Sequence, residues 1–387
     1  MVKLRKHFKL IFIFKNRLIK IHETTVLKQT KRMQIQLKKR ILIAPLNWGL
    51  GHAARCIPII KALQEQQFEP VIASDGIALL LLRKEFPNLQ SIELPSYNIR
   101  YPKNGKHFRL KMLQSSPKMA KAIKNEKKAV ASIIEDYKID GIISDNRLGV
   151  HHKKLPCVFI THQLQVLSGS TTWLSTKLHQ NIIKRFHECW VPDNLGDINL
   201  SGKLGHTVIH DMPVKYIGPL SRFKKKDLPL KYDVMVLLSG PEPQRTFIEK
   251  KLLTDFKTYN GKVLFIKGVI ENEQQISEEK NLTIYNYMTS SELENALNES
   301  HLIVSRSGYT TLMDLTKLNK KAFFIPTPGQ YEQEYLAERL TEQGLVASSK
   351  QDDFTIGKLD DISNFKGLSA MDYEVNFKKL FSLFKGK

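Results

Sequence analysis

Residues 301–340 read HLIVSRSGYTTLMDLTKLNKKAFFIPTPGQYEQEYLAERL, and this stretch decides the fold class. The apolar run 302–304 breaks at Ser305-Arg306-Ser307-Gly308, after which Thr310-Thr311-Leu312-Met313-Asp314-Leu315 has the apolar spacing of a helix. The unit is therefore strand, tight turn, helix. The first amides of such a helix have no intrahelical partner and carry the positive end of its dipole, which suits a diphosphate, while Gly308 lets a ligand approach the backbone. A second strand, 321–325, stops at Pro326 and Pro328, and Gln330-Tyr331-Glu332-Gln333-Glu334 opens another helix. Two strand ends thus present polar groups to one crevice, where open parallel sheets bind ligands. The class is α/β.

The same grammar recurs upstream. Strand 233–238 runs into Ser239-Gly240-Pro241-Glu242-Pro243-Gln244-Arg245. Gly240 permits close approach, and because the two prolines remove amides, Gln244 and Arg245 become the expected diphosphate partners, a guanidinium fork suiting that anion. Strands are expected at 263–267 and 282–285, the latter followed by Asn286-Tyr287-Met288. The Lys- and Pro-bearing segment 221–232 reads as a linker between a first domain, 41–220, and a second, 233–365. The first domain opens with strand 41–45, the turn Asn47-Trp48-Gly49-Leu50-Gly51-His52, and a helix carrying Ile57, Ile59, Ile60 and Leu63. Gly49 and Gly51 alone are a weak dinucleotide signal, since the full glycine triple is missing. His52 stands at a helix start, where an imidazole takes a proton at neutral pH. Further strands end in polar groups at Ser144-Asp145-Asn146-Arg147 and Thr161-His162-Gln163. A helical segment, 164–187, and a last strand, 189–193, close the domain. The tail 366–387 carries Phe377, Leu380, Phe381 and Phe384 on one helical face.

These motifs resemble the MurG-like glycosyltransferases with a family 28 C-terminal domain: an Arg-Ser-Gly turn before a helix bearing an acidic residue, a later Gln-rich helix start, and a glycine-His turn in the first domain. The resemblance implies the GT-B fold, two Rossmann-like domains facing across a cleft, with the terminal helix crossing back to the first domain. It implies hexosyl transfer from a UDP-sugar, N-acetylglucosamine or another hexose, to a hydroxyl of a glycan or lipid-linked acceptor in the cell envelope. Carried over, Asp314 holds the ribose, Met288 serves the base by its backbone, and Gln333 and Glu334 contact the sugar. Arg306, Ser307 and Gly308 stand with Gly240, Gln244 and Arg245 at the diphosphate. His52 is the candidate base, with Gly49, Gly51, Asp145, His162 and Gln163 lining the acceptor side. Asp for the usual Glu at 314, and Glu for the second Gln at 334, are departures that bear on which sugar is carried.

Composition bounds the rest. At 387 residues two domains are natural. Three dispersed cysteines, Cys56, Cys157 and Cys189, give neither a disulfide framework nor a zinc site, and no Asp-X-Asp stands at a strand end, so no metal and no cofactor are expected. The net charge of +22 is concentrated in residues 1–40, which hold 13 Lys and Arg against one acid. That extension reads as an upstream mis-start before Met33, with a basic membrane-seeking arm as the alternative. Its apolar run 10–14 is too short to span a membrane or to make a signal-peptide core. The segment 97–128, opening on Tyr97 and closing on Lys128, interleaves lysines and arginines with apolar residues and suits an anionic membrane surface. The expected location is cytoplasmic, peripheral on the inner face of the cytoplasmic membrane. Two rivals stand beside this reading. A nucleotide-sugar epimerase shares the fold but needs acid–base carboxylates at the anomeric carbon. A nucleic-acid binder fits the charge, yet aromatic platforms and recognition motifs are missing, so no nucleic-acid partner is expected.

Overall fold

The computed structural model describes residues 38–97, 108–368 and 374–386, with side chains of the second stretch described from Lys118 onward. Residues 39–387 form one compact unit.

Its first sheet is wholly parallel, ordered β3-β2-β1-β4-β5-β6-β7, from β1 (Arg40–Pro45), β2 (Glu69–Ser74), β3 (Ser91–Glu93), β4 (Ile139–Asp145), β5 (Cys157–Ile160), β6 (Glu188–Val191) and β7 (Val214–Tyr216). Ile41, Leu42, Ile43 and Ala44 are completely buried, the continuous apolar run of a strand covered on both faces. The helices are α1 (Gly51–Glu65), α2 (Gly76–Glu85), α3 (Phe108–Asp136) and α4 (Thr172–Ile183). The second sheet is ordered β10-β11-β9-β8-β12-β13-β14, from β8 (Tyr232–Leu237), β9 (Val263–Ile266), β10 (Ile276–Glu279), β11 (Leu282–Tyr285), β12 (Ser300–Ser305), β13 (Lys321–Phe324) and β14 (Ala347–Ser348), with β10 alone antiparallel. Its helices are α5 (Gln244–Phe256), α6 (Ser290–Asn298), α7 (Tyr309–Leu318) and α8 (Tyr331–Glu342). Two short helices, α9 (Phe377–Leu380) and α10 (Ser382–Lys385), close the chain.

The strand order of each sheet reverses beside its first strand, between β1 and β4 and between β8 and β12. These switch points face one another. A Cβ on Gly49, after β1, would stand 3.5 Å from Cα of Gly240, after β8, and Thr310 Oγ1 of α7 donates to the Gly51 carbonyl of α1 at 3.1 Å. One apolar cluster joins the halves, taking in Ile57 and Ile60 of α1 with Leu312 and Met313 of α7. Phe381 and Phe384 return to the first sheet, where both rings lie edge-on to Phe68 and near Trp190.

Three expectations need correction. Segment 164–187 is helical only from Gly169, because Gly169 takes φ +65° and the Thr171 and Thr172 hydroxyls bond to the Ser168 and Gly169 carbonyls, competing with a longer helix. The first sheet ends with β7, whose three residues are too short to show a period. Tyr97 is not a surface anchor: it is half-buried and donates to Glu126, while its oxygen accepts from the Leu148 amide at 2.9 Å. The remainder of 97–128 up to Lys118 lies outside the described residues or their side chains. Beyond it Lys118, Lys121, Lys124, Lys127 and Lys128 are exposed on α3. Among the described residues no helix is long and apolar enough to cross a membrane.

Candidate active site

At the first switch point the side chains lock onto one another. His52 and Arg55 lie three residues apart on α1 and so share a face, which meets Asp145 at the end of β4. Arg55 Nε donates to Asp145 Oδ2 at 2.5 Å, Arg55 Nη2 donates to Oδ1, and His52 Nδ1 stands 2.8 Å from Oδ1. Asp145 is wholly buried. Burial alone would raise its carboxyl, yet Arg55 and then His52 hold it well below the ordinary carboxylate range. An ionised carboxylate only accepts, so His52 carries its proton on Nδ1, and Nε2 is the nitrogen with a free lone pair. Burial, reinforced by Arg55 whose Nη2 is 2.9 Å from Nδ1, holds His52 below the usual histidine range against the pull of Asp145.

The network continues into the second domain. Arg55 Nη1 donates to His162 Nδ1 at 3.1 Å, which leaves His162 Nε2–H to donate to Glu332 Oε1 at 2.8 Å, and Gln163 Nε2 donates to the other Glu332 oxygen. Tyr309, first residue of α7, stacks on the His162 ring at 4.1 Å and 4° and donates to the Pro192 carbonyl at 2.9 Å. Burial would raise Glu332, yet His162, then His52 and Arg55, hold it below the ordinary range. The sequence reading placed Asp145, His162, Gln163, Gly49 and Gly51 on this side, and the structure gathers them around His52. It missed Arg55, Tyr309 and Glu332. Arg55 was signalled by its one-turn spacing from His52.

The second switch point is built differently. Among the described residues no atom lies within 4 Å of where a Cβ on Gly240 or Gly308 would stand, so both turns are open beside the amino ends of α5 and α7. The charged side chains expected there are already engaged. Arg245 turns back along α5 to Glu242 and Glu249, and does not stand free for a diphosphate. Arg306 is buried beneath the turn, donating to the Ile325, Pro326 and Gln244 carbonyls and to Gln351 Oε1 at 2.7 Å. Burial pulls its guanidinium down to about 9. Gln244 is buried as well. Ser307 Oγ donates to the Gln333 carbonyl at 2.8 Å. Gln333 Oε1 and Glu334 Oε1 accept from the Thr327 and Gly329 amides at 2.9 and 2.8 Å, so both cap the preceding loop and Glu332 is the side chain of that helix start that crosses to the first domain. Met288 is half-buried against the core.

Asp314 is 7% exposed. It accepts from Ser221 Oγ of the linker at 2.7 Å, and burial, opposed by Arg222 and Ser221, pushes it up to about 6. A hollow of about 670 Å³ lined by Tyr232, Tyr259, Lys262 and His301 lies at the amino ends of the second sheet's strands, remote from both switch points.

Two Rossmann-like domains whose switch points meet, with an imidazole–carboxylate pair on one side and open helix amino ends on the other, make up the GT-B fold. Residues 245–363 match the Glycosyltransferase family 28 C-terminal domain. Over 236 residues the chain is 26% identical to the UDP-N-acetylglucosamine–N-acetylmuramyl-(pentapeptide) pyrophosphoryl-undecaprenol N-acetylglucosamine transferase of Buchnera aphidicola subsp. Schizaphis graminum, a match covering 59% of this chain and 62%, less than two thirds, of that relative. An uncharacterized glycosyltransferase of Methanopyrus kandleri is 21% identical over 320 residues, 77% of this chain and 86% of the relative. Among solved structures, Acinetobacter baumannii MurG superposes with a TM-score of 0.52 at 13% identity, covering 90% of this chain and 99% of that one. The chain has the GT-B fold, and its second domain resembles the C-terminal domain of the family 28 glycosyltransferases.

Proposed function

We propose that the chain moves a hexose, with N-acetylglucosamine the first candidate, from a UDP-sugar to a hydroxyl of a glycan or lipid-linked acceptor. The observation that carries this reading is the His52–Asp145 pair standing across the domain junction from the open Gly240 and Gly308 turns. His52 Nε2 takes the proton of the acceptor hydroxyl, its oxygen attacks the anomeric carbon, and the bond from that carbon to the diphosphate oxygen breaks. The departing diphosphate is stabilised by the amides and dipoles at the starts of α5 and α7. Asp314 holds the ribose, exchanging the Ser221 hydroxyl for a sugar hydroxyl, and Gln333 and Glu334 shape the loop that meets the hexose. The activity for which the Buchnera relative is named supports a UDP-linked donor and a lipid-linked acceptor. The lysines along α3 support work at the inner face of the cytoplasmic membrane, each base near an anionic surface adding about 1 kcal/mol.

A thermal-shift screen against nucleotide-sugars tests the donor. A true donor at 100 times its Kd adds about 2.7 kcal/mol of stability, and a panel in which no UDP-sugar moves the melting point would sink the reading.

A further inference from the structure

His52 meets Asp145 of β4 and Arg55 of its own helix; Cys56 bonds Asp145, Arg55 reaches His162 after β5, and His162 meets Glu332 and Tyr309 of the second domain, with Asp193 on the far side of Tyr309. Burial, the leading influence on each, keeps Cys56 and Tyr309 protonated. With the imidazole tautomers that the bond pattern gives, the bonded set His52, Asp145, Arg55, His162 and Glu332 holds two carboxylates and one guanidinium, a formal charge of −1. When His52 takes the acceptor's proton the cluster becomes neutral. Without Glu332 the same step would run from neutral to +1 inside a buried site, which a low-polarity surrounding disfavours. Arg55 works in the opposite sense: it shares the Asp145 carboxylate with His52 and opposes a second positive charge 2.9 Å away. Glu332 reaches the cluster only through His162 and Gln163, so its contribution depends on the second domain being seated.

We propose that Arg55 and Glu332 are positioning residues that set the proton affinity of His52 in opposite directions, so that the base reaches full strength only when Glu332 of the second domain is docked on His162. This rests on His52 being the base.

The test is a pH titration of the His52 ring nitrogens by ¹⁵N NMR, the signal assigned by its loss in His52→Gln, for wild type, Glu332→Gln and Arg55→Gln. Glu332→Gln should lower the midpoint by about half a pH unit or more, and Arg55→Gln should raise it by a similar amount. Midpoints that stay put, or that move in the same direction in both variants, overturn the proposal, since a purely structural role has no reason to give opposite signs. If Arg55→Gln does not fold, Glu332→Gln decides alone, its side chain being 17% exposed at a domain junction, and an unmoved or raised midpoint overturns the idea. Because the titration needs no substrate, it is independent of turnover. Undiminished turnover in His52→Ala would remove the base assignment while leaving the coupling to be judged by the midpoints.

Discussion

Asp145 and Asp314 are two buried aspartates, one at each side of the domain junction, and their protonation equilibria move in opposite directions. Burial would raise both. Asp145 is overruled by the Arg55 fork and by His52, whereas Asp314 has a serine hydroxyl and the nearby Arg222, and its carboxyl rises to about 6. The difference teaches how the two halves handle charge. The first domain builds its site from side chains that satisfy one another before any substrate arrives. The second ties Arg245, Arg306 and Glu334 into its own loops, sends Glu332 across to the first, and leaves open backbone at Gly240 and Gly308. On the proposed reading, the acceptor side is preset for proton transfer, and the donor side for an anion that brings its own charge.

The largest expected effect tests the first half of that contrast. His52→Ala should lower turnover by about 10²- to 10⁴-fold and leave the donor Kd nearly unchanged. Lost donor binding, or turnover within twofold of wild type, would break the division of labour. Asp314→Asn comes next. With a folded value of about 6 against about 3.9 in the unfolded chain, ionisation of Asp314 weighs against the folded state, so stability is greater below pH 4 and falls as pH rises to 6. This contribution amounts to about 3 kcal/mol, and chemical denaturation of Asp314→Asn across that window should show it removed. A pH dependence identical to wild type would mean the carboxyl is compensated as well as Asp145. Gly308→Ala is smaller and sharper. Gly308 has φ −72°, ordinary for alanine, and its Cβ direction is open, so stability should change by less than about 0.5 kcal/mol while donor affinity drops about tenfold as the methyl meets the ligand. Unaltered calorimetric affinity would place the diphosphate elsewhere. Smallest of all, Arg245→Ala should change donor Kd by less than about threefold, because Glu242 and Glu249 already hold the guanidinium. A tenfold loss would show that the arginine abandons both carboxylates for the diphosphate.

Much of this was legible in the sequence. Strand-turn-helix units announce themselves by a change of apolar period, and polar residues at strand ends mark the crevice without knowledge of neighbours. What failed was direction. Arg306 follows a strand end like any ligand-facing residue, yet its side chain passes under the turn to gather carbonyls of the next loop. Glu332, Gln333 and Glu334 are consecutive at a helix start and so point about 100° apart, and only the docking of α8 selects which one crosses. That docking depends on contacts such as Tyr335 with the Lys203 amide and Arg339 with the Asn199 and Leu200 carbonyls, which join positions more than 130 residues apart. Arg55 was readable from spacing, but its partner Asp145 lies 90 residues away, and pairing them required the β1–β4 register.

The last residues of the chain impose an order in time. Phe384 presses so closely on Gly141 that a Cβ there would come within 2.4 Å of its ring, and with Phe381 it covers Phe68 and Trp190 in the oldest part of the molecule. At a synthesis rate of about 5–20 residues per second, roughly 10 to 50 s separate the emergence of residue 141 from that of residue 384. During that interval Phe68 and Trp190 wait for the two rings that cover them in the finished fold.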